Sequence, residues 1–283
     1  MKKVYYITLI FVGLKALMGL AYIHGLLELM QLRFNSLKDH FDLFEFFRLV
    51  DRFLLIIISL MLVVGLIIQL IGKNREFHKV LKIPILYYAA HFLIVNLPSN
   101  ILNNAEGFMV GADAFEKARY LLNTFSIVGL VIFYGIFCHL HFKTNTHTEA
   151  KDVSAQLKIR FLNYLIDTVM IAQLAYWLNT YLYWSNMGYL LVFLLTTFGY
   201  YLCLEVLFRQ TLGKVFTNSF VSSKTYPYAV AIVLRTFCRQ IPFEPFSFLG
   251  NGKWHDTLSQ TKLMRIKPQM PKRNLQDLRK ELL

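Results

Sequence analysis

The sequence predicts an all-α, polytopic integral membrane protein, and three observations lead to that class. Of its 283 residues, 56% are hydrophobic and 17% are charged, which is too little charge to cover a soluble domain of this length. The apolar residues gather into runs of about 20, the length of a membrane-spanning helix. The basic residues lie mainly between those runs, so membrane orientation and anionic lipid explain the net charge of +13 better than nucleic acid does.

Six apolar runs are expected to be transmembrane helices. The first resembles a signal peptide, but no small-x-small cleavage site follows it, so it is predicted to stay as a span. A polar linker over residues 143–157 separates an N-terminal four-helix region, 1–142, from a second membrane domain, 158–266, and a basic cytoplasmic tail, 267–283. The predicted spans are Val4–Ile23, Phe53–Ile71, Leu81–Leu97, Tyr120–Phe142, Leu157–Leu178 and Tyr189–Phe208.

Two further segments are expected to be amphipathic helices that do not span. In Gln31–Arg52, phenylalanine and leucine recur every three or four residues, which predicts a helix along the membrane surface. Tyr228–Leu249 contains two prolines and three charges, and in a full span these would meet lipid unsolvated. An interfacial or re-entrant helix that ends at the prolines is therefore predicted there.

The distribution of basic residues predicts the orientation. With six spans and both ends inside, 23 lysines and arginines fall on the inner side and 6 on the outer side. Positive charge favours the cytoplasmic side. Both termini are therefore predicted to be cytoplasmic, and a bacterial inner membrane is the expected location.

Asp167 is the one charged residue between Phe161 and Leu204. A carboxylate at the centre of a bilayer costs about 2.5–3.5 kcal/mol by insertion scales. Arg160 and Asn163 share its helix face, but Arg160 lies roughly 10 Å away along the axis, too far for a simple pair. Glu205 is a second acid, in the following span.

Two interpretations of these acids stay open. In the first, Asp167 and Glu205 exchange a proton for a cation, because burial moves the pKa of an acid toward neutral pH. In the second they belong to a structural network, with Arg235 or Arg239 on another helix as the expected partner of Asp167. The N-terminal half contains two isolated polar residues within apolar runs, Lys15 and His91. Each is expected either to snorkel to the membrane surface or to form a hydrogen bond between helices.

Three motifs in order give the C-terminal half a resemblance to the RDD family of membrane proteins, over about residues 153–266. The family is named for one arginine and two aspartates, and its biochemical role is poorly defined. The resemblance implies a transport role, with cation/proton antiport for some members. The matching residues are Arg160 and Asp167 in IRFLNYLID, Thr211, Gly213 and Lys214 after Arg209 in RQTLGKVFT, and Trp254, His255 and Asp256 in WHDTLSQT.

Two of these motif residues have alternative interpretations from the sequence. Asp256 is either an interfacial anchor with a helix cap, or it folds back to pair with Arg160. Lys214 follows a glycine and is a candidate for binding a phosphate or a lipid headgroup, although the spacing of a P-loop is absent. The histidines do not form a ligand set, and neither a Ser-His-Asp order nor HExxH is present. No metal, cofactor or enzyme activity is predicted.

The leading functional hypothesis is membrane transport, by proton-coupled exchange of a monovalent cation through Asp167 and Glu205. The alternative is a non-catalytic membrane scaffold or assembly protein that binds anionic lipid or partner proteins. The lipid bilayer is the expected partner in both cases. A homo-oligomer is compatible with either hypothesis, and the sequence does not name the substrate.

Overall fold

The computed structural model describes residues 2–39, 43–72, 77, 79–98, 114–145, 150–152, 157–182, 186–223, 225–240 and 254–266. Long helices dominate these residues. They are α1 (Lys2–Asp39), α2 (Leu43–Ile71), α3 (Lys79–His91, continued by a π-helical turn at Phe92–Asn96), α4 (Ala114–Asn145), α5 (Leu157–Leu182) and α6 (Asn186–Phe208). Three short helices follow: α7 (Leu212–Phe216), α8 (Tyr228–Arg239) and α9 (Trp254–Leu258).

Five helices are long and apolar enough to cross a membrane, which confirms a helical, membrane-embedded protein. A shorter apolar stretch at Val80–Asn96 corresponds to the predicted third span, so a count of six spans stays a prediction. The five candidate spans are Lys3–Leu20, Arg52–Ile71, Tyr120–His141, Lys158–Thr180 and Gly188–Phe208.

The predicted surface helix over Gln31–Arg52 is wrong. Helix α1 continues to Asp39, and α2 has already begun at Leu43. Those of the periodic phenylalanines and leucines that lie within the described residues therefore belong to the ends of two long helices. Periodicity reports one apolar face, and it cannot distinguish a separate helix from the extension of a span.

A small sheet joins the polar segments, and the sequence analysis did not predict it. Its strands are β1 (Ala150–Asp152), β2 (Ser219–Ser223) and β3 (Thr261–Ile266), in the order β1-β3-β2 with both pairings antiparallel. Strand β1 lies inside the predicted linker, and β3 lies close to the predicted tail. Strands of three to six residues are too short to give a clear alternating pattern.

Several segments that the predicted topology places on one side of the membrane meet at one end of the bundle. The Gln69 side chain, near the end of α2, donates to the Tyr5 hydroxyl at the start of α1, at 2.7 Å. The Phe77 ring lies between them and the end of α4, 4.8 Å from the Phe137 ring. One buried core includes residues of both halves. The domain boundary near residue 143 stays a prediction.

Lys15 is held between helices by a hydrogen bond, one of the two predicted arrangements. Its ammonium donates to Asn123 Oδ1 at 2.6 Å and lies 4.4 Å from the centre of the Tyr88 ring. The side chain is buried. Snorkelling to the membrane surface is therefore wrong for this lysine.

The contact between α2 and α3 depends on Gly65. A Cβ atom there would lie 2.9 Å from the Leu81 Cα atom and 3.0 Å from its nitrogen, so the backbones themselves touch. We expect Gly65→Ala to destabilise the fold, because over-packing costs about 1–3 kcal/mol. The measurement is thermal unfolding in detergent, with Gly199→Ala as control because nothing lies within 4 Å of its Cβ position. A Gly65→Ala protein as stable as the control would contradict this packing.

Candidate functional site

Asp167 lies on α5, where the chain after α6 folds back against it. Its carboxylate is 1% exposed and accepts three hydrogen bonds. Thr211 Oγ1 donates to one oxygen at 2.7 Å, while the Tyr200 hydroxyl and the Gly213 N–H donate to the other at 2.8 and 2.9 Å. Three neutral donors therefore replace the water that this acid lost on burial.

Close approach of the backbone brings these donors into range. A Cβ atom on Gly213 would lie 2.8 Å from the Asn163 Cα atom and closer still to its carbonyl oxygen, so only glycine fits. The segment after Gly213 also binds the Asn163 side chain. Thr217 Oγ1 donates to Asn163 Oδ1 at 2.7 Å, and Asn163 Nδ2 donates to Ser219 Oγ at 3.2 Å. The T-x-G-K motif is thus the segment that lies against α5.

Glu205, near the end of α6, is fully buried and surrounded by cations. Lys214 Nζ lies 2.7 Å from Oε1, and Arg239 Nη1 lies 2.8 Å from the same oxygen. Arg235 Nε lies 3.6 Å from Oε2. A single carboxylate thus joins the end of α6 to both α7 and α8.

Asp256, in α9, forms the third part of the network. It lies 2.9 Å from Arg160 Nη2 and pairs with Arg235 Nη1 through its other oxygen. The Arg235 guanidinium therefore bridges Asp256 and Glu205. Of the two interpretations of Asp256, folding back to pair with Arg160 is the one that the structure contains.

The predicted partner of Asp167 is wrong. Arg235 and Arg239 pair with Glu205 instead, and Asp167 is satisfied by hydroxyl and amide donors. The physical reason is that Thr211 and Gly213, which follow α6 closely in the chain, lie against Asp167. Together with Tyr200 they occupy both of its oxygens. The spacing of Arg235 and Arg239, one helical turn apart, was a signal that they share one acid.

The prediction that Lys214 binds a phosphate or headgroup is also wrong for this structure, because its side chain is buried against Glu205. Burial lowers the pKa of Lys214 below its ordinary value, and the negative charge of Glu205 opposes that change. Lys214 Nζ also lies 3.3 Å from Thr211 Oγ1, which itself donates to Asp167. A chain of hydrogen bonds therefore connects the two intramembrane acids.

Arg209 directly follows α6 and has a left-handed backbone, with φ 58°. Its guanidinium carbon lies 4.4 Å from the centre of the Tyr228 ring. Burial raises the pKa of Tyr228 well above its ordinary value, so its protonated hydroxyl donates to the Glu205 carbonyl at 2.8 Å. The side chains of Trp254 and His255 lie outside the described residues.

Helix α8 packs against α6. It begins beside Glu205 at Tyr228, and its later residue Phe237 packs against the Phe198 ring at 5.0 Å. Phe198 lies seven residues before Glu205, roughly 10 Å further along α6. The inward face of α8 carries Arg235, while its exposed face is apolar; that outer face includes Val230, Leu234 and Phe237.

Sequence reasoning missed several donors of this site. Tyr200 reads as one more aromatic residue in an apolar span, and Tyr228 as the start of an apolar tract. The hydroxyls of Thr217 and Ser219, 2.8 Å apart, follow the recognised motif and were not singled out. In the part of the chain that the structure describes, no three histidine, cysteine or acidic side chains form a group able to hold a metal ion.

No protein-family model, curated protein or solved structure matches this chain. The resemblance to the RDD family therefore stays a prediction. What the structure contributes is that its motif residues, distant in sequence, lie in one network.

The hydroxyl of Thr211 is expected to stabilise the fold through Asp167. Thr211→Val keeps the shape but removes a donor, and a buried acceptor left short of a partner costs about 1–3 kcal/mol. Thr197→Val is the matched control, because its hydroxyl bonds only the Phe193 carbonyl of its own helix. Denaturation in detergent should show a loss for Thr211→Val alone. Equal stability of the two variants would contradict the role assigned to Thr211.

Proposed function

We propose that this chain is a non-catalytic membrane scaffold of the RDD type, and that its intramembrane charges serve architecture. The observation that carries the proposal is that Asp167, Glu205 and Asp256 are all buried and all have partners within the protein. Glu205 Oε2 has no hydrogen-bond donor among the described residues, and its ion pair with Arg235 Nε is 3.6 Å long. A carboxylate that carries a solute needs an approach route and a vacant coordination position. Both oxygens of Asp167 are already occupied.

The meeting of the motifs supports the RDD part of the proposal. The arginine and the second aspartate of the resemblance, Arg160 and Asp256, pair at 2.9 Å. The first aspartate, Asp167, binds Thr211 and Gly213 of the middle motif. Residues that bind one another in the folded protein are expected to occur together in the members of a family. The structure supplies a physical reason for these three motifs to do so.

Proton-coupled cation exchange is the second candidate, and the position of Lys214 favours it. Its ammonium lies between Glu205 and Thr211, and Thr211 binds Asp167. A side chain with a lowered pKa between two acids can release a proton if a transported cation takes its place. In this alternative the network opens during the exchange cycle.

Glu205→Gln separates the two functions. In a scaffold, this change leaves three cations without their shared acid, and breaking a buried pair typically costs about 3–5 kcal/mol. We expect a large loss of stability in detergent and no cation-driven proton flux in vesicles for either the variant or the unaltered protein. The exposed acid Glu28, changed to glutamine, is the control and should leave stability nearly unchanged.

Flux from the unaltered protein, lost in Glu205→Gln, would overturn the scaffold proposal in favour of exchange. Asp167→Asn extends the test, because asparagine keeps the shape but places an N–H₂ group opposite existing donors. This geometry predicts a loss of stability for either function, so the flux decides between them. Proton flux in the unaltered protein whose pH dependence is lost in Asp167→Asn would favour exchange, and a scaffold should show no flux in either protein.

We also propose that the end of the bundle with the charge network faces the cytoplasm of a bacterial inner membrane. The count of 23 basic residues against 6 supports this orientation. Helix α8 is then a re-entrant helix. Its 12 residues extend about 18 Å, short of the bilayer core of about 30 Å. Asp256, beyond it in the chain, pairs with Arg160 at the end from which α8 starts.

Reporter fusions test this orientation. A reporter at Leu283 should be cytoplasmic, and one at Asn186, between the two C-terminal spans, should be on the opposite side. Both assignments follow from the basic residues: they are concentrated in the segments predicted to be inside, and none lies near Asn186. A C-terminus on the outside would mean that the segment after Tyr228 crosses the membrane.

A further inference from the structure

We propose that Arg209 binds the phosphate of an anionic phospholipid in the cytoplasmic leaflet. Arg209 is the first residue after the candidate span Gly188–Phe208. It therefore lies where the apolar segment ends and lipid headgroups begin. The inference does not depend on the scaffold proposal, because a transporter could hold the same lipid.

Arg209 differs from the four cations of the charge network, each of which has a carboxylate partner. Arg160, Lys214, Arg235 and Arg239 all have carboxylate partners. Within the described part of the chain, Arg209 has no ion pair, and its buried Nε atom has no hydrogen-bond acceptor. Arg209 as a whole is only partly buried, so the terminal nitrogens of its guanidinium, rather than Nε, are the donors that an acceptor from outside the protein can reach.

The surroundings of Arg209 position its side chain. The Tyr228 ring lies against the guanidinium at 4.4 Å, which restricts the plane of the fork. Tyr228 is itself fixed, since its hydroxyl donates to the Glu205 carbonyl. The left-handed backbone of Arg209 is uncommon for a residue other than glycine. A planar, pre-positioned fork of N–H donors matches the geometry of a phosphate.

Positive charge, and exposed aromatic residues in the segments that follow Arg209 in the chain, suit an amphiphilic anion. Lys82, at the start of α3, and Arg209 both act electrostatically on the Cys138 thiol of α4, so positive charge from both halves of the chain is felt at this part of α4. Phe216 and Tyr226, from the segments on either side of β2, are exposed aromatic residues. Basic sites between helices at the cytoplasmic side are typical of headgroup binding.

Thermal unfolding of the full chain in a neutral detergent tests the site. Phosphatidylglycerol should raise the unfolding temperature with increasing concentration, and phosphatidylcholine should not. In Arg209→Gln the apparent affinity for phosphatidylglycerol should fall by at least about tenfold, because a charged hydrogen-bonded contact is lost. Lys262→Gln removes an equal charge at an exposed position of strand β3 and should keep the affinity of the unaltered protein.

Arg209→Lys covers the case in which the glutamine variant does not fold. It keeps the charge but loses the stacked fork, so the affinity should be intermediate. Unchanged affinity in the arginine variants, or an equal response to phosphatidylcholine, would overturn the proposal. Inorganic phosphate at matched concentration separates the sources: an equal effect would assign the site to a free anion and overturn lipid as the ligand.

Discussion

The burial of Glu205 among cations is the constraint on which the C-terminal half depends. Three positive side chains, from α7 and α8, meet one carboxylate at the end of α6. None of these charges can be left alone in an apolar interior, because an isolated buried ion costs far more than the stability of a domain. The short helices therefore take the positions in which the charges are paired. The ends of α5 and α6 are fixed in turn through Asp256 and Arg160.

The two intramembrane acids are solvated in different ways, and the difference bears on function. Glu205 is neutralised by cations, whereas Asp167 accepts hydrogen bonds from hydroxyl and amide donors. A buried ion pair adds little net stability over apolar packing, but it penalises every arrangement that separates its members. The pairing thus selects one placement of α7 and α8 against α5. This selectivity is what a scaffold requires, and an exchanger would have to break it in each cycle.

The polar end of the bundle combines this closed interior with a basic outer boundary. The inward-facing cations pair with Glu205 and Asp256. Arg209, at the end of a candidate span, stacks on Tyr228 and has no ion pair among the described residues. The apolar outer face of α8 lies beside it in the chain and suits contact with acyl chains. Internal pairing and the proposed lipid contact would therefore be separate roles of arginines that are close in the chain. Their positions in sequence do not distinguish them.

The sequence by itself determined that the protein is helical and membrane-embedded, because apolar runs of span length are a direct consequence of bilayer thickness. It also singled out Arg160, Asp167, Glu205 and Asp256, since a charge in an apolar segment must have a partner. Only the tertiary structure decided which partner each acid has. That choice depends on Gly213 allowing backbone contact with Asn163, and on a short turn that reaches Asp167 before any arginine does. The three-stranded sheet was equally hidden, because its pairings join strands far apart in the chain. An apolar segment around a charged residue shows that burying the charge will cost free energy. Which residue offsets that cost depends on which groups the fold brings within hydrogen-bonding distance.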